Sequence, residues 1–161
     1  YMKKLMLITI VCAALAACGG SNSEPGKNPY VQDAGAPKKE SNGNPSYDPN
    51  RGEGKFTHVD VTPALNAAMA DNGQRIADVK CGSCHKTTEE KLVGPGWKGV
   101  TKRYTAEWIM NFVTNTDAML SKDPKAQAQL EICLVRMPNQ NLSDDDARAL
   151  YEYMRKNDGV K

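Results

Sequence analysis

The 161-residue sequence lacks a strong charge of either sign, with 21 Lys and Arg standing against 19 Asp and Glu. A nucleic-acid-binding role therefore has no electrostatic footing. It also lacks a long hydrophobic run: the stretch from Leu5 to Leu15 is too short to cross a bilayer as a helix. Aromatic residues are few, 6% of the chain, and Tyr30, Tyr47 and Phe56 stand isolated among polar neighbours. There are only two histidines, His58 and His85, and a single Cys-x-x-Cys, Cys81 to Cys84. With no second such pair and no H-x-x-x-H downstream, a tetrahedral zinc site would be short of ligands. No βαβ pattern surrounds the pair, which a thioredoxin-like redox site requires.

What is present is Cys81-Gly-Ser-Cys84-His85, a C-x-x-C-H run, the attachment signature of a c-type haem. Two thiols three positions apart lie about one helical turn from each other. That spacing suits two thioether bonds, from Cys81 and Cys84, to the vinyl groups of one porphyrin. The histidine directly after them, His85, is then held close to the iron and can ligate it axially. With this motif, the stretch from about Asp60 to the end resembles a class I (monohaem) cytochrome c domain. The resemblance covers roughly the last hundred residues. It implies an all-α fold of about four helices around one covalently bound haem c.

The N-terminus reads as an export signal. Lys3-Lys4 is a short positive region, the run to Leu15 is its apolar core, and Leu15-Ala16-Ala17-Cys18 resembles a bacterial lipobox. The implied fate is cleavage after residue 17 and acylation of Cys18; the alternative is an ordinary secretory signal with Cys18 beside the cut. Cleavage leaves 19 basic against 19 acidic residues. Residues 18–60 are rich in Gly, Pro, Ser and Asn, as in Gly35-Ala36-Pro37 and Gly43-Asn44-Pro45. Such a segment buries too little apolar surface to order itself and is expected to be a disordered tether with an r.m.s. reach of roughly 35 Å. The domain plan is signal 1–17, acylated cysteine and tether 18–60, and haem domain 61–161. The periplasmic side of a bacterial membrane follows from an acylated Cys18.

Within the haem domain, Thr62-Pro63 reads as a hydroxyl cap with proline at the first helical position. The helix it opens runs to Lys80 and delivers Cys81. Gly73 interrupts it, either as a kink or as a close contact with the last helix. In class I cytochromes that helix crosses the first one, which points to Leu150 or Tyr151 beside Gly73. The Gly94-Pro95-Gly96-Trp97 run sets an irregular loop. The resemblance assigns the Pro95 carbonyl as acceptor for the second ring nitrogen of His85, a bond that fixes the imidazole's orientation. Trp97 packs on the haem or simply fills core. Thr105 caps a helix over 106–113, whose Trp108, Ile109, Phe112 and Val113 form one apolar face that covers the porphyrin or serves a plain core. Residues 115–122 read as loop. Asp123-Pro124 starts another helix with Ala126, Leu130, Cys133 and Leu134 as its inner stripe. Cys133 reads as a small buried hydrophobe, with pairing between chains as the other option. Ser143 caps the last helix, and Ala147, Leu150, Tyr151 and Met154 are its buried stripe.

The loop Arg136-Met137-Pro138 lies between two of these helices. By resemblance, Met137 is the second axial iron ligand; Met119, also in an expected loop, is the runner-up, and His58 a weaker third. An imidazole on one side and a thioether on the other leave no open position for oxygen or peroxide, and the thioether favours Fe(II). The implied role is one-electron transfer, with no catalytic residues. A monomeric lipoprotein would shuttle electrons from a quinol-oxidising complex to a terminal oxidase or reductase, such as a nitrous oxide reductase. The competing roles are a fixed haem subunit of a respiratory complex, or a haem-based gas sensor or peroxidase. Lys80, Lys86, Lys91, Lys98, Lys102 and Arg103 outnumber Glu89 and Glu90 around the motif, either as a positive docking face or as an ordinary solvated one.

Overall fold

The computed structural model describes residues 47–161. The expected export signal, Cys18 and the expected tether through residue 46 lie outside the described residues. Every regular element among the described residues is helical: α1 (Ala67–Lys80), α2 (Val100–Arg103), α3 (Ala106–Thr114), α4 (Thr116–Lys122), α5 (Pro124–Cys133) and α6 (Asp144–Asn157). No helix of the described residues is long and apolar enough to cross a membrane.

The frame is the crossing of α1 and α6, the most extensive helix–helix packing in the fold. Gly73 makes the close approach possible. A Cβ built there would lie 2.0 Å from the Ala149 carbonyl oxygen and 2.9 Å from the Tyr153 Cβ. Gly73 is therefore a contact point within a continuous helix, not a break. The residues against it are Ala149 and Tyr153 instead of Leu150 or Tyr151. The buried stripe of α6 explains the offset: Leu150 and Met154 point at the central cavity, so the neighbouring face meets α1.

The first helix starts later than Thr62-Pro63 suggests. Asn66 is the cap, its side chain accepting from the Met69 N–H at 3.0 Å. The carbonyls of Thr62 and Pro63, which would have been the first helical acceptors, are taken by the Arg155 guanidinium at 2.7 and 3.0 Å. Arg155 also pairs with Glu152 at 2.8 Å, and Glu152 is fully buried between Arg155, Arg148 and the Asn66 N–H. This network pins the chain before α1 onto α6.

Residues 115–122, expected as loop, contain α4. Their polar composition hides an inward pair, Met119 and Leu120, which are buried, and the Thr116 hydroxyl bonds back to the Phe112 carbonyl at 2.8 Å. The short α2 was also not anticipated. The caps at Thr105, Asp123 and Ser143 form as the sequence suggests, Ser143 within a full capping box. On α5 the expected stripe fails at its end. Leu134 takes a left-handed conformation (φ 58°) that stops the helix and leaves its side chain 84% exposed. Cys133 is only half-buried.

The largest departure concerns residues 47–60, expected to belong to the flexible tether. They form a strap laid along α3 and α4. Buried Asn111 holds it, donating to the carbonyls of Arg51 and Phe56 (2.9 Å each) and accepting from the Phe56 N–H (2.9 Å). The Glu53 N–H meets the Met119 sulfur at 3.0 Å, and Val59 N–H meets Glu107 at 2.9 Å. Glycines explain the sequence signal. Gly54 lies so close to Asn111 that a Cβ would fall 2.2 Å from its oxygen, and Gly52 sits against Met119 with φ +64°. The glycine richness that suggested flexibility here serves close packing.

Candidate haem-binding site

A cavity of about 630 Å³ opens beside the C-x-x-C-H run, within the range of small-molecule and cofactor sites. Cys81, Cys84, His85, Pro95, Trp97, Trp108 and Met137 all line it. The sequence thus named residues from four separate segments that the fold brings to one space. Among the described residues no cluster of three or more His, Cys, Asp or Glu has the arrangement of a metal site.

The cysteine wall is built by the end of α1. The Cys81 N–H closes the helix on the Ala77 carbonyl, and the N–H groups of Cys84 and His85 both return to the Cys81 carbonyl (3.0 and 2.9 Å). This tight turn keeps both sulfurs and the imidazole on one side. Burial pushes the Cys81 thiol up to about 11. On the next loop, the N–H groups of Val93 and Gly94 both reach the Cys84 carbonyl (3.2 and 2.9 Å), which docks the Gly-Pro-Gly segment onto the motif.

That docking orients His85. Its Nδ1 lies 2.9 Å from the Pro95 carbonyl oxygen. A carbonyl only accepts, so Nδ1 carries the proton and donates, and Nε2 keeps the lone pair a metal needs. Burial lowers the imidazole pKa, partly offset by the Pro95 bond, which favours the neutral ring. The ring sits tight on Gly94: a Cβ there would be 2.3 Å from Cε1 and 2.8 Å from each nitrogen. Trp97 packs against the imidazole at 5.4 Å between centroids and meets Tyr153 edge-on at 6.4 Å.

The far wall comes from α3. Trp108 is stacked between Tyr104 (4.1 Å, 16°) and Phe112 (5.1 Å, 6°), and all three line the cavity. The Trp108 Nε1–H donates to buried Asp123 at 3.1 Å. Met137 enters from the α5–α6 loop. Arg136 pairs with Asp117 at 3.0 Å on one side of it, and Lys80 at the end of α1 donates to the Gln140 carbonyl at 3.1 Å on the other. The loop is thereby tied across the cavity to the cysteine-bearing helix.

The alternative ligands do not reach this space. Met119 is fully buried under the strap and does not line the cavity, and exposed His58 pairs with Asp60 at 3.0 Å. Met154, on α6, does line it. Sequence reasoning missed the seating of His85 on Gly94 and the Tyr104 contribution. A Gly-Pro-Gly run signals an irregular loop but not which ring it touches, and Tyr104 lies outside any periodic stripe.

Two thiols one turn apart, an imidazole with a fixed tautomer, a thioether and an apolar slot between aromatic and aliphatic walls form a donor set that fits haem c. The family model for cytochrome c matches residues 70–158, more than half of the chain. The chain belongs to the cytochrome c family. Its cofactor is haem c, covalently attached, and the family's work is electron transfer. Among solved structures, the cytochrome is similar to cytochrome c from Rhodothermus marinus at 30% identity and a TM-score of 0.63, over 65% of this chain and 90% of that one. An engineered cytochrome c from Rhodothermus marinus, Rma TDE, matches at 28% identity over the same shares, again with a TM-score of 0.63. The same engineered protein bound to a carbene intermediate matches at 28% identity and a TM-score of 0.60, also over 65% and 90%. No curated protein matches the chain.

Proposed function

We propose that the chain is a membrane-anchored, six-coordinate electron shuttle in which Cys81 and Cys84 hold the haem covalently and His85 and Met137 ligate the iron. The observation that carries this reading is the 2.9 Å bond from His85 to the Pro95 carbonyl, which presents Nε2 as a ligand in a cavity that Met137 also lines. Bound haem supplies a one-electron Fe(III)/Fe(II) couple. Pro95 fixes the imidazole plane and strengthens it as a ligand. Trp97 and Trp108 provide apolar walls that keep water from the ring, and exclusion of water together with a thioether ligand favours the reduced state. With His85 and Met137 both held to the iron, a small molecule would find no free position there, which supports a carrier over an enzyme.

Electron exchange is assigned to the cavity mouth. Exposed Val79, Val93 and Val135 line the mouth together with Lys80, Lys98 and Arg103. An apolar patch with a basic rim suits brief docking to an acidic redox partner, with encounter speeded at low salt. Lys86 contributes less, since Glu90 neutralises it at 2.6 Å. Acylation of Cys18 would hold the domain at the periplasmic face of a bacterial membrane, on a tether that ends near residue 47. The donor and acceptor classes are a quinol-oxidising complex and a terminal oxidase or reductase, with the cytochrome acting as a monomer.

Visible spectra of the haem-loaded protein and of Met137→Ala test the ligand set. The wild type is expected to show the weak red band of Met–Fe(III), and the variant to lose it and to bind carbon monoxide rapidly when reduced. Retention of the band in Met137→Ala, or its loss in Met154→Ala instead, would overturn the assignment. Radiolabelled palmitate incorporation, abolished by Cys18→Ser, tests the anchor.

A further inference from the structure

One buried carboxylate has no part in the ligand set, and it sits directly behind the cavity wall. Asp123 is fully buried and caps α5 by accepting from the Ala126 N–H at 2.8 Å. A helix cap needs only that bond. Asp123 has two more: its Oδ2 accepts from the Trp108 indole N–H at 3.1 Å and from the Tyr47 hydroxyl at 2.5 Å. All three donors are neutral groups. Three donors and no acceptor is the environment of a carboxylate, not of a carboxylic acid. A buried charge that meets only neutral groups projects its field further than one cancelled by an ion pair.

The direction of that field matters because of Trp108. Its indole lines the cavity on one edge and bonds to Asp123 through the other, so a single ring separates the carboxylate from the space that receives the haem. Tyr104, stacked on the same indole, feels Asp123 too: burial raises its phenol pKa, the Arg103 charge opposes that rise, and the Asp123 charge adds to it. Tyr47 comes from the strap and closes the far side of the carboxylate. Burial and the Asp123 bond together push its own phenol well above the ordinary range, so it remains a donor.

We propose that Asp123 is the potential-setting residue of this cytochrome: it positions Trp108 against the porphyrin and places a negative charge behind it, while the Tyr47 hydroxyl of the strap partly screens that charge. A negative charge near the ring stabilises Fe(III) relative to Fe(II) and lowers the reduction potential. The strap thereby has a functional role as well as a structural one, because the donor that moderates the carboxylate is delivered from a segment outside the helical core. The inference rests on the electron-transfer reading only in requiring a bound haem.

The test is the midpoint potential, by spectroelectrochemistry, of the haem-loaded wild type, Asp123→Asn and Tyr47→Phe. Absorbance spectra of each report haem attachment and axial ligation separately, so a failure of the ligand assignment shows there and not in the potential. Asp123→Asn keeps the shape and removes the charge. It is expected to raise the potential by the equivalent of about tenfold in the Fe(II)/Fe(III) ratio, which is 59 mV for a one-electron couple. Tyr47→Phe keeps the charge and removes its screen, and is expected to shift the potential the opposite way by two- to threefold. Opposite signs are the signature that general loosening of the fold would not produce. Shifts of the same sign, or both below twofold, would overturn the proposal. If Asp123→Asn does not mature, Tyr47→Phe decides alone: a lowered potential supports the inference, and an unchanged or raised one refutes it. The Trp108 indole N–H resonance should move in both variants.

Discussion

Replacing Gly94 by alanine gives the sharpest test of how the site is built. The backbone at Gly94 is not in the left-handed region, so alanine fits it without strain, and the only objection is space. The new Cβ would stand 2.3 Å from the His85 Cε1, whereas carbon atoms pack best at about 3.5–4.0 Å. The imidazole must therefore retreat by about 1 Å. It cannot do so and keep the 2.9 Å bond to the Pro95 carbonyl, because that acceptor lies only one residue beyond the intruding methyl. Overpacking costs about 1–3 kcal/mol, and a lost hydrogen bond about 0.5–1.5 kcal/mol, so the sum is about 2–4 kcal/mol. For a domain of this size that corresponds to a fall in Tm of roughly 10 °C. Circular dichroism melts of the haem-loaded protein measure it, and the axial-ligand bands in the same samples report a displaced imidazole. Gly82→Ala is the control: it lies within the same motif, but its Cβ would meet nothing nearer than the Asp78 carbonyl at 3.4 Å, an ordinary contact. Equal melting of wild type and Gly94→Ala, with unchanged spectra, would refute the seating of His85 on residue 94.

Further expectations concern the frame. Gly73→Ala sets a methyl 2.0 Å from a backbone oxygen of α6, and backbone yields less readily than a side chain; a loss of about 3 kcal/mol, at the upper end for overpacking, should appear in urea denaturation. Glu152→Ala leaves Arg155 buried without its carboxylate and should cost about 3–5 kcal/mol. Burial alone would raise the Glu152 carboxyl, but hydrogen bonds from Arg148, the Asn66 N–H and Arg155 outweigh it and hold the pKa below the usual range. A folded value below the unfolded one means that Glu152 contributes stability above the unfolded pKa, and that this contribution is lost as pH falls through the folded value. Urea midpoints taken from pH 7 downwards should therefore fall less steeply below the unfolded glutamate pKa of about 4.3 in Glu152→Gln than in the wild type. Asn111→Ala removes three strap bonds, each worth about 1 kcal/mol, and should open residues 47–60 to limited proteolysis; unchanged resistance would show that the strap is held by other contacts.

The chemistry of this chain was written locally and could be read locally. Cys81, Cys84 and His85 lie within five residues, and their spacing alone restricts the group they hold. The caps at Thr105, Asp123 and Ser143 are legible for the same reason: a side chain and the N–H it accepts are three positions apart. What the sequence could not supply were relations across the fold. The same glycine-rich composition reads as a loose tether whether or not Asn111 waits for it, and only the packed structure turned residues 47–60 into a strap. The start of α1 was moved four residues by Arg155, which lies some ninety positions away and takes the carbonyls that the helix would have used. Asp123 looked like a cap and is also the meeting point of strap, cavity wall and α5. Spacing fixes which groups are neighbours along the chain; burial and close approach, which depend on segments far apart in sequence, decide which of them meet.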